Sequence, residues 1–320
     1  MLETPPNPFP KVVQSVLGEI SHKTMGITDT HNHVWIERIA GSDPTAPVLD
    51  QFDLIRKELL AYKAAGGGSI LDCQPGGCGR NANHLAELSG LSGVNIVACT
   101  GFHRRKYYSP ENNPFLLSDQ QSADLFSKEL TQGMEETLGQ NDPIRAGFIK
   151  IALEAAWSDC PQALLEGAAE ATSKTGALLQ IHTEKGALAE KAVIFFENHG
   201  VKPLQLVICH IDKRPDIGIH QELAKFGVLL EYDTFYRPKY EPQNRVWPLV
   251  EKMIKSGLSG SICLATDMAE SEMYTSIGGG PGLASLPGAM KNNLESIGIA
   301  NADIRKVLGG NIARRLAGLN

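Results

Sequence analysis

Eight short apolar runs punctuate the chain, and between most of them lie longer segments whose apolar residues recur at helical spacing. The runs occupy residues 26–30, 69–73, 95–100, 146–151, 177–182, 204–210, 227–232 and 261–266. Amphipathic segments such as 51–64, 161–174, 186–198 and 217–225 are long enough to cross back over a sheet, which parallel neighbours require. Repeated eight times, the pattern predicts an α/β protein built as a closed (β/α)8 TIM barrel, because a closed ring leaves no edge strand. A doubly wound open sheet is the competing arrangement. No GxGxxG opens a helix after the first run, so a dinucleotide site has little support. The rhythm runs without a compositional break, which predicts one domain over residues 1–320, with residues 1–25 as an N-terminal extension packing on the barrel.

Composition narrows the class. The chain has 320 residues, 42% of them hydrophobic, enough to bury a full core. Thirty Lys and Arg against 36 Asp and Glu give a formal charge of −6. That balance argues against nucleic acid, whose phosphates call for a basic surface. No apolar stretch reaches the ~18 residues of a membrane span, and Met1 to Pro10 shows no charged-then-apolar leader pattern, so a cytoplasmic enzyme is expected. The six cysteines, at 73, 78, 99, 160, 209 and 263, form no CxxC pair and read as reduced thiols. Cys99, Cys209 and Cys263 sit inside apolar runs and read as core packing, whereas Cys73 and Cys78 flank a glycine loop.

In a barrel the polar residues at the C-terminal ends of strands face the active-site mouth. The first run ends in His31-Asn32-His33, the fourth carries Lys150, the fifth ends in His182, the sixth in His210 and the eighth in Asp267. Of nine histidines, four hold these positions, and this coincidence is what lifts them above ordinary satisfied histidines. His31 and His33 are two apart on extended chain, so both imidazoles leave the same face. Imidazole and carboxylate donors without thiolate select Zn²⁺, Mn²⁺, Co²⁺ or Fe²⁺. Four histidines and an aspartate exceed what one open catalytic ion needs, so two divalent ions are implied, the donors alone leaving open which of these metals they are. Lys150 is out of place among them unless its amine loses its charge or becomes an anion; the plain alternative pairs it with Glu154 or Asp159.

This pattern resembles the phosphotriesterase family, including its lactonases, within the amidohydrolase superfamily. The likeness is carried by Thr28-Asp29-Thr30-His31-Asn32-His33, Gly147-Phe148-Ile149-Lys150-Ile151-Ala152, Gln180-Ile181-His182-Thr183-Glu184-Lys185-Gly186, His210-Ile211-Asp212-Lys213-Arg214-Pro215-Asp216, Ala265-Thr266-Asp267 and Asn311-Ile312-Ala313-Arg314, in family order. The resemblance implies that Lys150 is N6-carboxylated and that its carbamate bridges two ions. It implies that His31, His33, Lys150 and Asp267 hold one ion, and Lys150, His182 and His210 the other. It further implies that Asp267 is catalytic, taking a proton from a metal-bridging hydroxide and passing it toward the leaving group.

The chemistry implied is hydrolysis of an ester, lactone or phosphoester, with a sugar lactone or phosphorylated sugar lactone favoured and a phosphotriester, phosphoester or amide as the alternative. Two loops supply candidate substrate ligands: His103, Arg105 and Tyr107 after the third run, and Arg237 and Lys239 after the seventh, the latter resembling a basic loop of the sugar-lactone branch. Cations there suit an anionic or polyhydroxylated small molecule, although solvated surface charge is the plainer account. Glu270 departs from the phosphorylated-lactone pattern, which places an arginine there, and a carboxylate would repel phosphate. A homodimer is allowed, since dimers are usual among soluble homo-oligomers. A barrel that keeps the scaffold without turnover is the non-enzyme alternative, against which two tightly held metal ions would count.

Overall fold

A computed structural model describes residues 12–111 and 113–319. Residues 1–11, the first part of the expected extension, therefore lie outside the described residues. The remainder of that extension forms an antiparallel hairpin of β1 (Val12–Ser15) and β2 (Gly18–Ser21). Val13 is buried in the lower barrel core and the Val16 amide donates to Ile96 O at 2.9 Å, so the hairpin seals the N-terminal end of the barrel.

All eight apolar runs are strands. They are β3 (Ile27–Asn32), β4 (Gly67–Asp72), β5 (Asn95–Gly101), β6 (Phe148–Ala152), β7 (Leu179–His182), β8 (Leu206–Cys209), β9 (Leu229–Tyr232) and β10 (Ile262–Leu264). Every paired neighbour is parallel and the spatial order follows the chain order, which is the barrel arrangement and not a doubly wound one. The seam between β10 and β3 is closed from the side-chain level up. The Asp267 amide donates to His31 O at 2.9 Å, and Thr266 donates through its amide and hydroxyl to the Asp29 carboxylate at 3.1 and 2.5 Å.

The crossover helices fall where the amphipathic segments predict them: α1 (Phe52–Ala64), α2 (Ala82–Ser92), α3 (Asp119–Thr131), α4 (Gln162–Thr175), α5 (Ala189–Asn198), α6 (Ile217–Phe226) and α7 (Val246–Lys255). Their ends are chemically marked. Ser118 and Gln121 form a reciprocal capping box at the start of α3, and Asp216 accepts the Gly218 and Ile219 amides at the start of α6. Gly227, at φ +106°, lets the chain leave α6 and turn directly into β9.

Alternation along the strands sorts the core into two shells. Ile70, Ile96, Ile149, Ile181, Ile208 and Leu230 face outward into the helices, while Leu71, Val97, Phe148, Val207, Leu229 and Cys263 fill the barrel interior. The same alternation carries Lys150, Gln180 and Glu231 inward, one step above Phe148, Leu178 and Leu229. All six cysteines are buried free thiols. No helix among the described residues is long and apolar enough to cross a membrane.

Candidate metal centre and active site

Five of the six expected ligands meet at the C-terminal mouth of the barrel as side chains in mutual reach, and Lys150 rises between them from below. His31 Nε2 and His33 Nε2 lie 3.7 and 3.9 Å from Asp267 Oδ1. His210 Nε2 lies 2.9 Å from His182 Nδ1. The fully buried Lys150 Nζ stands 3.0 Å from His31 Nε2, so the plain pairing with Glu154 or Asp159 does not occur; Glu154 is taken by Arg104 at 3.0 Å.

Three of the four histidines have the outer nitrogen hydrogen-bonded from behind, and the fourth has a carboxylate beside it. His31 Nδ1 meets Glu231 Oε1 at 2.6 Å, and His33 Nδ1 meets Gln74 Oε1 at 2.7 Å. His182 Nε2 meets Glu184 Oε1 at 2.9 Å, and His210 Nδ1 lies 2.8 Å from Asp233 Oδ2. An acceptor on the outer nitrogen fixes the proton there and leaves a lone pair on the inner one, the usual support of a metal-ligating imidazole. This assigns a lone pair to His182 Nδ1, which His210 Nε2 meets at 2.9 Å, while His210 Nδ1 is buried without a hydrogen bond among the described residues and stands 3.8 Å from Asp267 Oδ2. The donor set therefore fits borderline divalent ions.

The electrostatics agree. Burial pushes the imidazolium forms of His31, His33, His182 and His210 down, His33 to about 4, so the rings are neutral and ready to donate electron pairs. Burial would raise Asp267, but His31, Arg237 and Lys213 outweigh it and hold the carboxyl below its ordinary range. Burial likewise opposes charge on Lys150, yet Cys209, Cys73, Glu231 and Asp267 together keep its amine cationic when no ion is present. Two of the ligand positions are conformationally unusual: His210 and Asp267 have φ of +60° and +47°, a left-handed backbone at the end of β8 and just past the end of β10.

The sequence reading did not anticipate the supporting shell. Glu231 is fully buried and accepts from Thr30 Oγ1 and Gln180 Nε2, both at 2.8 Å, as well as facing His31. Glu231 and Asp233 alternate at the end of the seventh run, and that spacing was the available signal for two inward carboxylates. Gln74 sits in the glycine loop after β4, where its amide also donates to Cys78 O.

A cavity of about 660 Å³ opens over the histidines. Of the expected substrate ligands, His103, Tyr107, Arg237 and Lys239 line it. The His103 Nδ1 accepts the Arg104 amide at 2.7 Å, and its ring packs edge-on to Tyr107 at 4.6 Å. Arg105 is placed otherwise: its guanidinium lies over the Phe115 ring, 4.2 Å from the centroid, outside the cavity wall, because the short helical turn at Arg105–Tyr107 rotates it outward. Lys213 and Tyr240, not singled out from the sequence, complete the basic side of the wall.

A family model for the phosphotriesterase family matches residues 11–316. The chain belongs to the phosphotriesterase family. Among curated relatives of this family member, a phospho-furanose lactonase of Mycoplasmopsis synoviae is 27% identical over 274 residues, covering 80% of this chain and 76% of its own. A solved amidohydrolase from Mycoplasma synoviae is 26% identical with a TM-score of 0.86, over 96% of this chain and 92% of its own. A lactonase from Listeria monocytogenes superposes with a TM-score of 0.86 at 20% identity, over 95% and 98% of the two chains, a likeness of fold. With such relatives this phosphotriesterase-family protein is an enzyme, and the family's dependence on two metal ions suits the donor groups assembled here.

Proposed function

We propose that this phosphotriesterase-family enzyme is a binuclear metal-dependent lactonase opening the lactone of a small polyhydroxylated compound. The observation that carries the proposal is the convergence of four neutral imidazoles and Asp267 on one polar cavity, with buried Lys150 beneath them and three of the imidazoles hydrogen-bonded from behind. His31, His33 and Asp267 would hold one ion and His182 and His210 the other, with N6-carboxylated Lys150 between; zinc is proposed, with manganese, cobalt or iron as the other candidates. Two bound ions would acidify water and polarise the lactone carbonyl.

The residues of the chain do the rest. Asp267, ionised in the resting site, accepts the proton of the attacking water and returns it to the ring oxygen as the acyl C–O bond breaks, so that water and lactone yield one hydroxy acid. Glu231, Gln74 and Glu184 hold three of the imidazoles against rotation, and Asp233 accepts the His210 backbone amide and stands beside its ring. Tyr107 and the Nε2 side of His103 reach into the cavity and can bind hydroxyl groups of the substrate. The similarity to a phospho-furanose lactonase supports a sugar-derived ring as the substrate. Single-domain organisation, a homodimer and a cytoplasmic location stay with the proposal as expectations from the sequence.

Turnover of sugar lactones, phosphotriesters and amides by metal-loaded enzyme, followed by chromatographic detection of the products, tests this reading. The expected result is lactone opening at least tenfold faster in kcat/KM than either alternative, about 1.4 kcal/mol in transition-state binding. Strong amide or phosphotriester hydrolysis without lactone opening rejects it.

A further inference from the structure

Arg237 lines the cavity, yet its guanidinium is committed inside the protein. Its Nη2 donates to the Asp267 carbonyl oxygen at 2.5 Å and stands 3.4 Å from Asp267 Oδ2. Its Nη1 and Nη2 lie 3.3 and 3.2 Å from Glu270 Oε1 and Oε2, a two-pronged pairing with a carboxylate that also lines the cavity. The Arg237 side chain is 18% exposed and that of Glu270 47%, so the cation sits behind and the anion in front. The basic charge that could meet an anionic substrate is thereby cancelled by two carboxylates, one of which faces the incoming ligand.

Lys213 and Lys239 stand with their ammonium groups 5.6 and 5.2 Å from the Tyr240 ring centroid, and Arg38 and Lys106 line the same cavity. Attraction from these cations and repulsion from Glu270 then act on the same ligand, so removing this one carboxylate shifts the balance. A dianionic phosphate suffers most from Glu270, because the Coulomb cost scales with its charge; neutral hydroxyl groups suffer nothing and can donate to the carboxylate.

We infer that Glu270, through its pairing with Arg237, is a specificity-determining residue that turns the site toward lactones of uncharged sugars and away from phosphorylated ones. The inference rests on the lactonase reading above and deepens it.

The test compares metal-loaded full-length wild type with Glu270→Gln and, as a charge-matched control, Glu272→Gln. Glu272 lines the same cavity but its carboxylate contacts Ser271 at 3.2 Å rather than Arg237. For each, kcat/KM is measured for a sugar lactone and its phosphorylated counterpart, and the binding of inorganic phosphate is measured by calorimetry. Wild type should prefer the uncharged lactone. In Glu270→Gln the phosphorylated-to-uncharged ratio should rise about tenfold or more, with phosphate binding tightened to a similar degree, as expected on removing one close like charge. Glu272→Gln should move neither by more than about twofold.

A wild-type preference for the phosphorylated lactone, an unchanged ratio in Glu270→Gln, or an equal shift in Glu272→Gln overturns the inference while leaving the lactonase reading standing. If wild type opens neither lactone, the lactonase reading fails. Phosphate binding then decides the role of Glu270 alone: tighter binding in Glu270→Gln supports it and equal binding overturns it.

Discussion

Replacing Glu231 by glutamine changes one oxygen to an amino group deep in the barrel and leaves volume almost untouched. The carboxylate now receives three donors: His31 Nδ1 at 2.6 Å on one oxygen, and Thr30 Oγ1 and Gln180 Nε2 at 2.8 Å on the other. Glutamine offers one acceptor oxygen. Keeping that oxygen on His31 turns the new amino group toward Gln180 Nε2, donor against donor, with only the Thr30 hydroxyl free to rotate away. One buried donor left unsatisfied costs about 1–3 kcal/mol, and the loss of charge assistance on the remaining bonds adds a comparable amount. A destabilisation of about 3 kcal/mol is expected in the metal-free protein. The alternative rotamer spares Gln180 but faces His31 Nδ1 with an amino group, which favours the other tautomer and removes the inner lone pair.

Either way the ligand suffers, and metal affinity should fall about 10–100-fold, the range found when such outer partners are removed. Chelator-competition titration of folded protein reads the affinity, and urea unfolding of the metal-free form reads the stability separately. Glu231→Gln that binds metal as tightly as wild type would refute the view that Glu231 holds His31 for an ion.

Other consequences are quicker to check. Lys150→Ala should reduce tightly held metal from about two equivalents per chain to one or fewer and lower kcat by at least a hundredfold, since one group would otherwise serve both ions; retention of two equivalents by elemental analysis would exclude Lys150 as a ligand. Metal-free protein should lose stability on acidification. His33 has its pKa lowered by burial from 6.5 to about 4, so below 6.5 the unfolded chain binds a proton that the native ring refuses. Its contribution is therefore intact above pH 6.5 and is lost as the pH falls toward 4, about 3 kcal/mol for this ring alone. The other three ligand imidazoles act in the same direction. Equal urea midpoints at pH 7 and pH 5 would contradict the buried, neutral assignment.

The barrel was readable because each strand is buried on both faces and each crossover helix on one, so hydrophobic runs and amphipathic segments alternate in the sequence itself. The convergence of the candidate ligands was readable for a related reason: His31, His182, His210 and Asp267 each stand where an apolar run stops. The supporting carboxylates were harder. Glu231 lies within a run of core residues, and only barrel closure, which brings Thr30 of β3 against the inner face of β9, reveals that it points at His31. Gln74 reads as loop until the fold sets it beside His33. Arg105 stands off the cavity wall with its guanidinium over the ring of Phe115, a pairing that spacing along the chain does not signal. The hairpin of β1 and β2 is too short to leave a period of its own.

The left-handed backbone at His210 and Asp267 sets this enzyme against heat-driven improvement. A glycine at either place would relieve about 1 kcal/mol of torsional cost but would delete a buried side chain and its pairing with Asp233 or Arg237, so nothing is gained in heat resistance by relaxing these two positions. Thermal hardening of this scaffold must therefore be sought in the outer helices, with turnover scored in every round.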